Sequence, residues 1–450
     1  MKRPESKPPS IARLRKHLNA DALIDTVRRK FEKLPDPRSV CPRIELADVA
    51  MSAFAMFSLK DPSLLAFEKS LTARDHNLRS HYKIDNIPSD TTMREILDEV
   101  SPCTLRPAFR AVFSQLQRGK ALESMTVLDG HYLLAMDATT YFSSAKLSSD
   151  ACLQKTDSRT GKTTYQLQMM GAALVHPKVK EVIPLATEPI CKEDGATKND
   201  CERNAAKRFL EKFRTEHPHL KVIVTEDGLS PNGPHIDLLK SLDLRFILSV
   251  KPDDHVFLWD KVDEAVDRER AVEFDCPDPD DPKIHHYFRF VNGLPLNKSH
   301  QDPRINFLEY WQDSPKRTMS FSRVTDLPIT RHNAYTIMRC GRAERRIENE
   351  TFNTLKNQGY HFEHNYGPGK KHLSAAFATI MMLAFLVDQV QQLCCPLFRA
   401  AWKEIGSKRL LWESMRGLFR EFELRSMRMI FEALLYGHKK PVPQINYDSS

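Results

Sequence analysis

The sequence predicts an α/β protein in which a mixed five-stranded sheet carries a β-rich insertion and is flanked by helical N-terminal and C-terminal regions. Three observations predict this class. Apolar residues recur at helical spacing near both ends of the chain. Between them, short β-rich runs alternate with amphipathic helical segments, and a second group of β-rich runs follows. The 450 residues are 41% hydrophobic and 28% charged, which is typical of a globular protein with several domains.

The N-terminal region, residues 1–124, is predicted to be a helical domain. Two proline-containing breaks divide it into several helices. After the second break, Thr92 and Glu95 are predicted to form a capping box at the start of a helix that carries Arg94. A turn followed by a capped helix suits a helix-turn-helix motif that contacts DNA through Arg94, but capping boxes also begin many helices without that role.

Residues 125–252 are predicted to form the first part of the core sheet. The order of the elements is βββαβαβ, with strands at 132–138, 164–175 and 181–186, a helix at 201–217, a strand at 221–225, a helix at 234–242 and a strand at 245–250. A meander of three strands followed by two right-handed crossovers gives a mixed sheet with helices packed on it.

The remaining chain is predicted to hold an insertion, the end of the core and a helical C-terminal region. Residues 253–338 form the β-rich insertion, with an acidic helix near 261–270 and strands at 285–291, 317–323 and 334–339. Residues 339–400 complete the core with a helix at 341–358 and an apolar helix, and residues 401–450 form the helical C-terminal region and tail. The apolar run at 373–387 is shorter than the roughly 20 residues that span a bilayer, so no membrane partner is expected.

Charge and cysteine content narrow the classes of function. The nine cysteines include no CxxC pair, which argues against a disulfide framework or a zinc ribbon and favours a reducing, intracellular compartment. The formal net charge is +8. Residues 1–34 carry ten basic and four acidic residues, and residues 401–441 carry nine and five, whereas residues 251–300 carry seven and twelve. Two basic ends suit contact with phosphates, although solvated helix faces have the same composition.

Two aspartates are predicted to end strands of the core sheet. Asp137 follows an apolar run on the first predicted strand, and Asp227 follows the fourth. A carboxylate after a buried strand is costly to desolvate unless a cation or capping amides pair with it. Either residue alone suits a turn or a helix cap, but the two together predict a site at a shared edge of the sheet.

A third carboxylate is expected from the helix at 341–358. At 100° per residue, Glu348 shares a face with the apolar Phe352 and Leu355, and Glu350 shares a face with Arg346 and Asn353. The apolar face packs on the sheet, which favours Glu348, and a shift in helix phase would favour Glu350. Paired, solvent-exposed glutamates are the remaining alternative.

Three converging carboxylates suit hard divalent cations. Two Mg²⁺ or Mn²⁺ ions about 4 Å apart would bind the attacking and leaving oxygens of a phosphodiester displacement. The sequence contains neither the GxxxxGK[ST] of a phosphate-binding loop nor the GxSxG of a serine hydrolase. Metal-assisted chemistry on a phosphodiester is therefore the simplest prediction.

The residues around these carboxylates resemble those of DDE transposases. The resemblance rests on Met136-Asp137-Ala138-Thr139-Thr140, on Thr225-Glu226-Asp227-Gly228, on the β-rich insertion, and on residues 347–369, IENETFNTLKNQGYHFEHNYGPG. More narrowly, residues 125–400 are similar to bacterial insertion-sequence transposases, whose ribonuclease-H-like core is interrupted by a β insertion domain.

The resemblance implies a ribonuclease-H-like catalytic core in which Asp137, Asp227 and Glu348 bind two metal ions. It also implies cut-and-paste strand transfer on double-stranded DNA, a homodimer in the synaptic complex, and a location in the bacterial cytoplasm, at the nucleoid when bound to DNA. The related signature YxxRxxxExxxxxxK fits no single register. If Glu350 takes the glutamate position, Ala343 stands where the signature has tyrosine. If Glu348 takes that position, Glu344 stands where the signature has arginine.

Basic and aromatic residues near the glutamate helix are predicted to contact DNA. Their side chains can hold phosphates or stack beside a distorted base, or they can simply flank a solvent-facing helix and loop. The candidates are Arg345, Arg346, Lys356, Tyr360, His361, Lys370 and Lys371, together with Arg94 in the N-terminal region.

Two other functions stay open at this point. A transposase-derived protein can keep the fold and bind DNA without turnover. A DDE nuclease would cleave DNA without joining the product to a target.

Overall fold

The computed structural model describes residues 15–38, 42–149, 152–190, 198–227, 231–279, 281–299, 301–302, 304–315 and 318–437. The chain forms two compact units. Unit 1 comprises Met1–Ala121 and Thr354–Ser450, and unit 2 comprises Leu122–Asn353. Helices from the two ends of the chain therefore belong to one unit, and the strands belong to the other.

The N-terminal part of unit 1 contains six α-helices among its described residues. They are α1 (Ala20–Phe31), α2 (Leu46–Ser58), α3 (Leu64–Lys69), α4 (Leu71–Tyr82), α5 (Asp90–Asp98) and α6 (Arg106–Arg118). Helix α5 begins at Asp90 because the hydroxyl of Ser89 accepts the backbone N–H of Thr92 at 3.3 Å. The predicted capping box with Thr92 at the N-cap was therefore wrong by one turn.

Unit 2 is built on one mixed sheet. Its strands are β1 (Thr126–Val127), β2 (His131–Ser144), β3 (Leu153–Thr156), β4 (Thr163–Val175), β5 (Ile183–Ile190), β6 (Val222–Glu226), β7 (Arg245–Val250), β8 (Val272–Pro277), β9 (His285–Leu294), β10 (Ile305–Asp313) and β11 (Met319–Thr325). Its helices are α7 (Lys198–Glu216), α8 (Gly233–Ser241), α9 (Val256–Asp267) and α10 (Ala334–Arg342).

The strands follow the order β3-β4-β2-β6-β7-β11-β10-β9-β8, with β5 on the same side of β4 as β3 and with β1 paired to β2. β2, β6 and β7 are parallel to one another, and the other pairs are antiparallel. The described sheet therefore has eleven strands, and the strands of the predicted core and of the predicted insertion belong to the same mixed sheet. The insertion strands β8–β11 extend the same sheet, because β11 pairs with the edge that β7 would otherwise leave open.

The buried strands of this sheet carry continuous apolar runs. Leu133 to Met136 on β2 are buried, and all five residues of β6 are buried. Strands covered on both faces have this pattern, whereas half-exposed strands alternate. The local sequence is therefore enough to form the strands that position the candidate site.

Helical segments of three types follow the last strand: an α-helix, a 3₁₀ turn and a π-helical turn. The predicted strand at 334–339 is wrong, because Ala334, Ile337, Met338 and Gly341 are buried at helical spacing and form one face of α10. A 3₁₀ turn (Ala343–Arg345) and a π-helical turn (Ile347–Phe352) follow. The single helix predicted at 341–358 is thus broken into segments, of which the last is α11 (Asn353–Asn357).

The C-terminal part of unit 1 contains α12 (Leu373–Cys394), α13 (Pro396–Ile405), α14 (Lys408–Glu421) and α15 (Met427–Tyr436). Helix α12 is long and apolar enough to cross a membrane by length and composition, but 89% of its most apolar window is buried. It packs against α2 and α5. Such burial is typical of the core helix of a soluble protein.

Candidate functional site

Asp137 lies on β2 in the centre of the unit 2 sheet. Its register partner across the antiparallel pair is Gly171 on β4, so the two residues share one face of the sheet. The Asp137 side chain is half-buried, and its Oδ1 accepts the backbone N–H of Ala138 at 2.8 Å. The carboxylate is therefore held close to the backbone at the edge of a cleft.

Asp227 lies beside Asp137 because β2 and β6 are parallel and in register. Ala135 pairs with Thr225, and each aspartate is two residues further along its strand. Residues two apart on a strand point to the same face, and neighbouring strands are about 4.8 Å apart. The Asp227 side chain is exposed. The parallel pairing of β2 and β6 thus brings the two aspartates together.

The π-helical turn that carries the glutamates approaches the sheet closely at Gly171. A Cβ atom on Gly171 would stand 2.8 Å from Cζ of Phe352, so only glycine accommodates the ring at this distance. Since Gly171 shares its face with Asp137, Phe352 holds the turn on the face to which Asp137 points. Single π-helical turns within helices are frequent at functional sites.

Four carboxylates act on one another at this face. The pKa of Asp137 is raised to about 7 by burial and then by the negative charge of Asp227, while the hydrogen bond from Ala138 lowers it. The charges of Glu348 and Glu344 raise the pKa further. Repulsion of this kind between carboxylates is typical of catalytic and metal-binding sites.

The two candidate glutamates have different surroundings. Glu348 is exposed on the turn and contributes to the charge that Asp137 experiences. Glu350 lies 3.9 Å from Arg346 and lines a separate cleft that also contains Asn349. The geometry therefore groups Glu348 with the aspartates and Glu350 with arginines.

Glu344 is a member of this group that the sequence analysis did not select as a site residue. Its Oε2 accepts hydrogen bonds from Ser249 at 3.1 Å and from Arg323 Nη1 at 3.0 Å. Burial raises the pKa of Glu344, the charge of Arg323 opposes that rise, and the charge of Asp227 adds to it. Burial likewise lowers the pKa of Arg323. No local pattern would have revealed this pair, because its members lie on β11 and on the 3₁₀ turn.

A cleft of about 580 Å³ opens beside the two aspartates. Glu226, next to Asp227, is buried and lies 2.7 Å from Nε2 of His235. Burial lowers the pKa of His235, but the charge and hydrogen bond of Glu226 outweigh it and raise the pKa overall. Residues from α7 and α8 complete the wall, among them Glu202, Arg203, Lys207, Asn232 and Asp237.

The predicted DNA contacts in unit 2 are Arg345 and Arg346. Arg345 is exposed, and its guanidinium lies 5.2 Å from the centroid of the Phe321 ring. Arg346 is half-buried, and its Nη2 donates to the carbonyl of Pro177 at 3.0 Å. Both side chains line the cleft that contains Glu350.

The predicted DNA contacts in unit 1 include one buried residue. Tyr360 is 1% exposed, and its hydroxyl donates to Asp388 at 2.5 Å, so its ring belongs to the core and is not retained as a DNA contact. His361 is exposed, and burial together with the charge of Arg416 lowers its pKa. The imidazole of His361 is therefore biased toward its neutral form.

The remaining candidates in unit 1 have acidic or backbone partners. Arg94 pairs with Asp90 at 2.5 Å. Lys356 pairs with Glu363 at 3.1 Å, and Lys371 pairs with Glu99 at 2.6 Å. The backbone N–H of Lys370 donates to Asp98, and its side chain is exposed. Three of these four cations are thus partly compensated within unit 1.

The four carboxylates have the donor chemistry for a hard divalent cation. Carboxylate oxygens are preferred by Mg²⁺ and Mn²⁺, and a cation would relieve the repulsion that raises the pKa of Asp137. Among the described residues, no three acidic, histidine or cysteine side chains already stand close enough to hold one ion. Ion binding would therefore require side chains to rotate. Asp227 and Glu348 are exposed, which leaves room for their side chains to do so.

Comparison with known proteins does not assign this chain to a family. Neither a model of any protein family nor any curated protein sequence gives a significant match to it.

Proposed function

We propose that the protein is a DDE-type DNA transposase that cleaves DNA and transfers the cut strand with Mg²⁺ or Mn²⁺. The observation that carries the proposal is the parallel register of β2 and β6, in which Asp137 and Asp227 lie side by side on one face of the sheet. The charges of Asp227, Glu348 and Glu344 act on Asp137 and raise its pKa. Mutual repulsion among carboxylates on one face of a sheet suits a two-metal phosphodiester site.

The order of the central strands supports a ribonuclease-H-like core. β5, β4, β2, β6 and β7 are neighbours in that order, with the first three antiparallel and the last two parallel to β2. A meander of three strands followed by two parallel crossovers is the arrangement expected of such a core. In this proposal, Asp137 and Asp227 are the first two members of the catalytic triad, and β8–β11 are the insertion.

Each carboxylate has a role that its surroundings suggest. Asp137, once deprotonated, and the exposed Asp227 and Glu348 supply the hard oxygen ligands. When bound, two divalent ions activate the attacking oxygen and stabilise the leaving oxygen. Glu344 is held by Arg323 and adds negative charge behind the site without facing solvent freely. Water attacks in the nicking step, and a freed 3′-hydroxyl attacks in the joining step.

The partner in this proposal is double-stranded DNA, at the ends of the element and at the target. Joining two ends requires two active sites, so a homodimer is proposed for the synaptic complex. A cytoplasmic location, at the nucleoid when DNA is bound, follows from the same proposal.

The test is cleavage and joining of labelled DNA taken from both flanks of the gene, with and without Mg²⁺ or Mn²⁺. Wild type should give metal-dependent nicks and joined products, and Asp137→Asn should give neither while still binding the DNA. Asp243→Asn is the matched control. It makes the same change at a turn residue with φ of 51°, where asparagine is well tolerated.

The outcomes separate the proposal from the two other functions. Binding without cleavage in either metal would indicate a transposase-derived protein that binds DNA without turnover. Metal-dependent nicks without joined products would indicate a nuclease. Equal loss of cleavage and binding in Asp137→Asn would show that the aspartate is structural, and the proposal would be withdrawn.

The third carboxylate has its own test, read by direct titration with Mn²⁺. Glu348→Gln should weaken Mn²⁺ binding strongly, because Glu348 belongs to the carboxylate group at Asp137. Glu350→Gln should leave Mn²⁺ binding unchanged, because Glu350 faces Arg346. The opposite result would assign the third ligand to Glu350.

A further inference from the structure

A second cleft of about 460 Å³ lies in unit 2 along α10 and the turns that follow it. Four arginines line it, at positions 339, 342, 345 and 346. Arg339, Arg342 and Arg346 are spaced i, i+3 and i+7, which places them on one side of a helical segment. We call this the arginine cleft.

We propose that the arginine cleft binds the phosphodiester backbone of one strand of the DNA, on the side of the glutamate turn opposite the carboxylates. This inference rests on the proposed function for the identity of the polymer. It goes beyond that function in assigning Arg339 and Arg342 as phosphate contacts and Glu350 as an inhibitory group.

Neutral partners hold the guanidinium groups in place. Arg339 Nη1 donates to the hydroxyl of Tyr335 at 3.2 Å, and Arg342 Nη1 donates to Oε1 of Gln312 at 3.1 Å. Arg342 also lies 5.2 Å from the centroid of the Phe321 ring, as Arg345 does. Such contacts fix the orientation of an arginine without neutralising its charge, so the cations are pre-organised for an anion.

The acidic residues of the cleft compensate little of this charge. Two carboxylates, Glu350 and Asp278, belong to the described lining, against four arginines. Oδ2 of Asp278 already accepts from Nε2 of His286 at 2.8 Å and from Tyr335 at 3.3 Å. Glu350 lies 3.9 Å from Arg346, at the limit of an ion pair. The cleft therefore keeps a net positive charge.

The positive charge extends into an adjoining cleft of about 540 Å³. The two clefts share Pro177, Tyr335 and Arg339, and the second also contains His176 and Lys178. Burial and then the charges of Arg346, Lys178 and Arg339 lower the pKa of His176. A basic groove that continues past a single pocket suits a polymer better than a small anion.

The length of the arginine row matches a polyanion. Arg339 and Arg346 are seven residues apart, which corresponds to about 10 Å along a helix. One strand of DNA carries one phosphate per about 3.4 Å of helix axis, and neighbouring phosphates along the backbone are farther apart than that, so the row is long enough for about two consecutive phosphates. Arginine also forms the bidentate hydrogen bonds that phosphate oxygens favour.

Glu350 gives the inference a test in which binding improves. Its carboxylate competes with a phosphate for Arg346, so Glu350→Gln should bind a mixed-sequence duplex about two- to fivefold more tightly, the effect expected for one partly exposed ion pair. Glu264→Gln is the matched control: it removes the carboxylate of a partly exposed ion pair with Lys261 on α9, outside the cleft, and should leave this metal-free binding unchanged. The measurement is fluorescence anisotropy of the labelled duplex in EDTA over a series of salt concentrations.

The arginines are tested by the salt dependence of the same binding. The double variant Arg339→Gln and Arg342→Gln should lower the slope of log K against log salt by about 1.8, or 0.9 for each lost phosphate contact. Arg268→Gln removes one charge at the end of α9, outside the cleft, and should leave the slope unchanged. Thermal unfolding of each variant checks that the fold is intact, and Glu350→Gln carries the test if the double variant does not fold.

Equal slopes for the double variant and wild type, or no gain in Glu350→Gln, would overturn the inference. If the double variant lowers the slope of log K against log salt but the protein does not cleave the flanking DNA with metal, the arginine cleft remains a DNA contact and the transposase proposal is withdrawn. Metal-dependent cleavage with an unchanged slope in the double variant would support the transposase proposal and exclude the arginine cleft as a DNA contact. A wild-type protein that binds no duplex at all would also exclude the arginine cleft as a DNA contact.

Discussion

Arg323 Nη1 donates to Oε2 of Glu344 at 3.0 Å, and Glu344 is one of the carboxylates whose charges raise the pKa of Asp137. The side chains are 6% and 14% exposed. A cation in this place lowers the repulsion within a group of four carboxylates. Gly341 makes room for it, since a Cβ atom there would stand 2.9 Å from Nε of Arg323.

Removal of Arg323 should destabilise unit 2. Arg323→Met keeps the volume of the side chain but leaves Glu344 buried without its cation, and loss of one partner of a buried pair costs about 3–5 kcal/mol. Urea unfolding measures the change. Arg409→Met, which breaks the exposed Arg409–Glu413 pair, is the control and should cost less than about 1 kcal/mol. Equal effects of the two changes would mean that Arg323 has no special role in stability.

Asp137 should make the stability of the metal-free protein depend on pH. Its pKa is raised to about 7 in the fold, against an ordinary value of 3.8. The folded state therefore holds the proton more tightly than the unfolded chain, and stability decreases as the pH rises from about 4 to about 7. The loss from this group is at most about 4 kcal/mol.

The variant Asp137→Asn isolates this effect. Asparagine can still accept the N–H of Ala138 but carries no charge, so the variant should be more stable than wild type at pH 8 and similar to it at pH 4. Urea unfolding in EDTA at both pH values measures the difference. A variant that is less stable than wild type at pH 8 would contradict the raised pKa.

A second buried ion pair lies in unit 1. The ammonium group of Lys60 pairs with Asp388, and the hydroxyl of Tyr360 donates to the same carboxylate. Burial lowers the pKa of Lys60, and the charge of Asp388 opposes that change. Asp388→Asn should therefore cost about 3–5 kcal/mol near pH 7.

This cost should decrease at higher pH. A lysine whose pKa is lowered in the fold loses its proton before the unfolded chain does, so stability increases with pH between the two pKa values. Unfolding of Asp388→Asn at pH 7 and pH 9.5, compared with wild type at each pH, measures the trend. A larger deficit at pH 9.5 would show that the charge on Lys60 is not the cause.

Asp98 should stabilise the loop that precedes α12. Its carboxylate accepts the backbone N–H groups of Lys370, Lys371, His372 and Leu373 at 2.8–3.0 Å. These bonds outweigh partial burial and lower the pKa of Asp98. Asp98→Ala should cost about 1–2 kcal/mol at neutral pH, as for other lost caps.

The contribution of Asp98 is present above its unfolded pKa and is lost as the pH falls through its folded pKa. The deficit of Asp98→Ala should therefore shrink as the pH falls below the ordinary pKa of an aspartate, because wild type then loses the charge that the variant lacks. Asp75→Ala, which removes an exposed helix carboxylate that pairs with Arg79, is the control and should change stability by less than about 1 kcal/mol. A deficit that persists at low pH would show that the charge on Asp98 does not stabilise the loop.

Local sequence patterns predicted most of the central strands and helices. The strand at 245–250 has the bounds of β7. The strand at 164–175 differs from β4 by one residue at one end, and the strand at 221–225 differs from β6 by one residue at each end. These segments are formed by continuous apolar runs and clear turn residues, which are properties of a few neighbouring positions. The same patterns selected Asp137 and Asp227 as candidate site residues. Asp227 does follow the end of β6, but the prediction that Asp137 ends its strand was wrong, because β2 continues to Ser144.

Local sequence patterns gave wrong or incomplete predictions where the structure depends on contacts between residues that are distant in the sequence. The sheet continues into β8–β11 because β11 pairs with β7 at an edge that would otherwise be unpaired. The hydrophobic periodicity of the sequence does not predict which strands pair. A short run at 334–339 suits a strand or a helix equally, and its packing against β7 and β10 makes it α10. Tyr360 was a candidate for stacking on a base, but its hydroxyl bonds to Asp388 and its ring is buried.

The sequence by itself determined which residue types bear the proposed chemistry: two aspartates after buried strands and glutamates on a helical segment. Only the tertiary structure decided how they are grouped, because the close approach of Phe352 to Gly171 holds a π-helical turn on the face of Asp137. That turn separates Glu348, near the aspartates, from Glu350, near Arg346. Electrostatic effects depend on distances across the fold, so the raised pKa of Asp137 and the charge of the arginine cleft follow from packing rather than from local sequence.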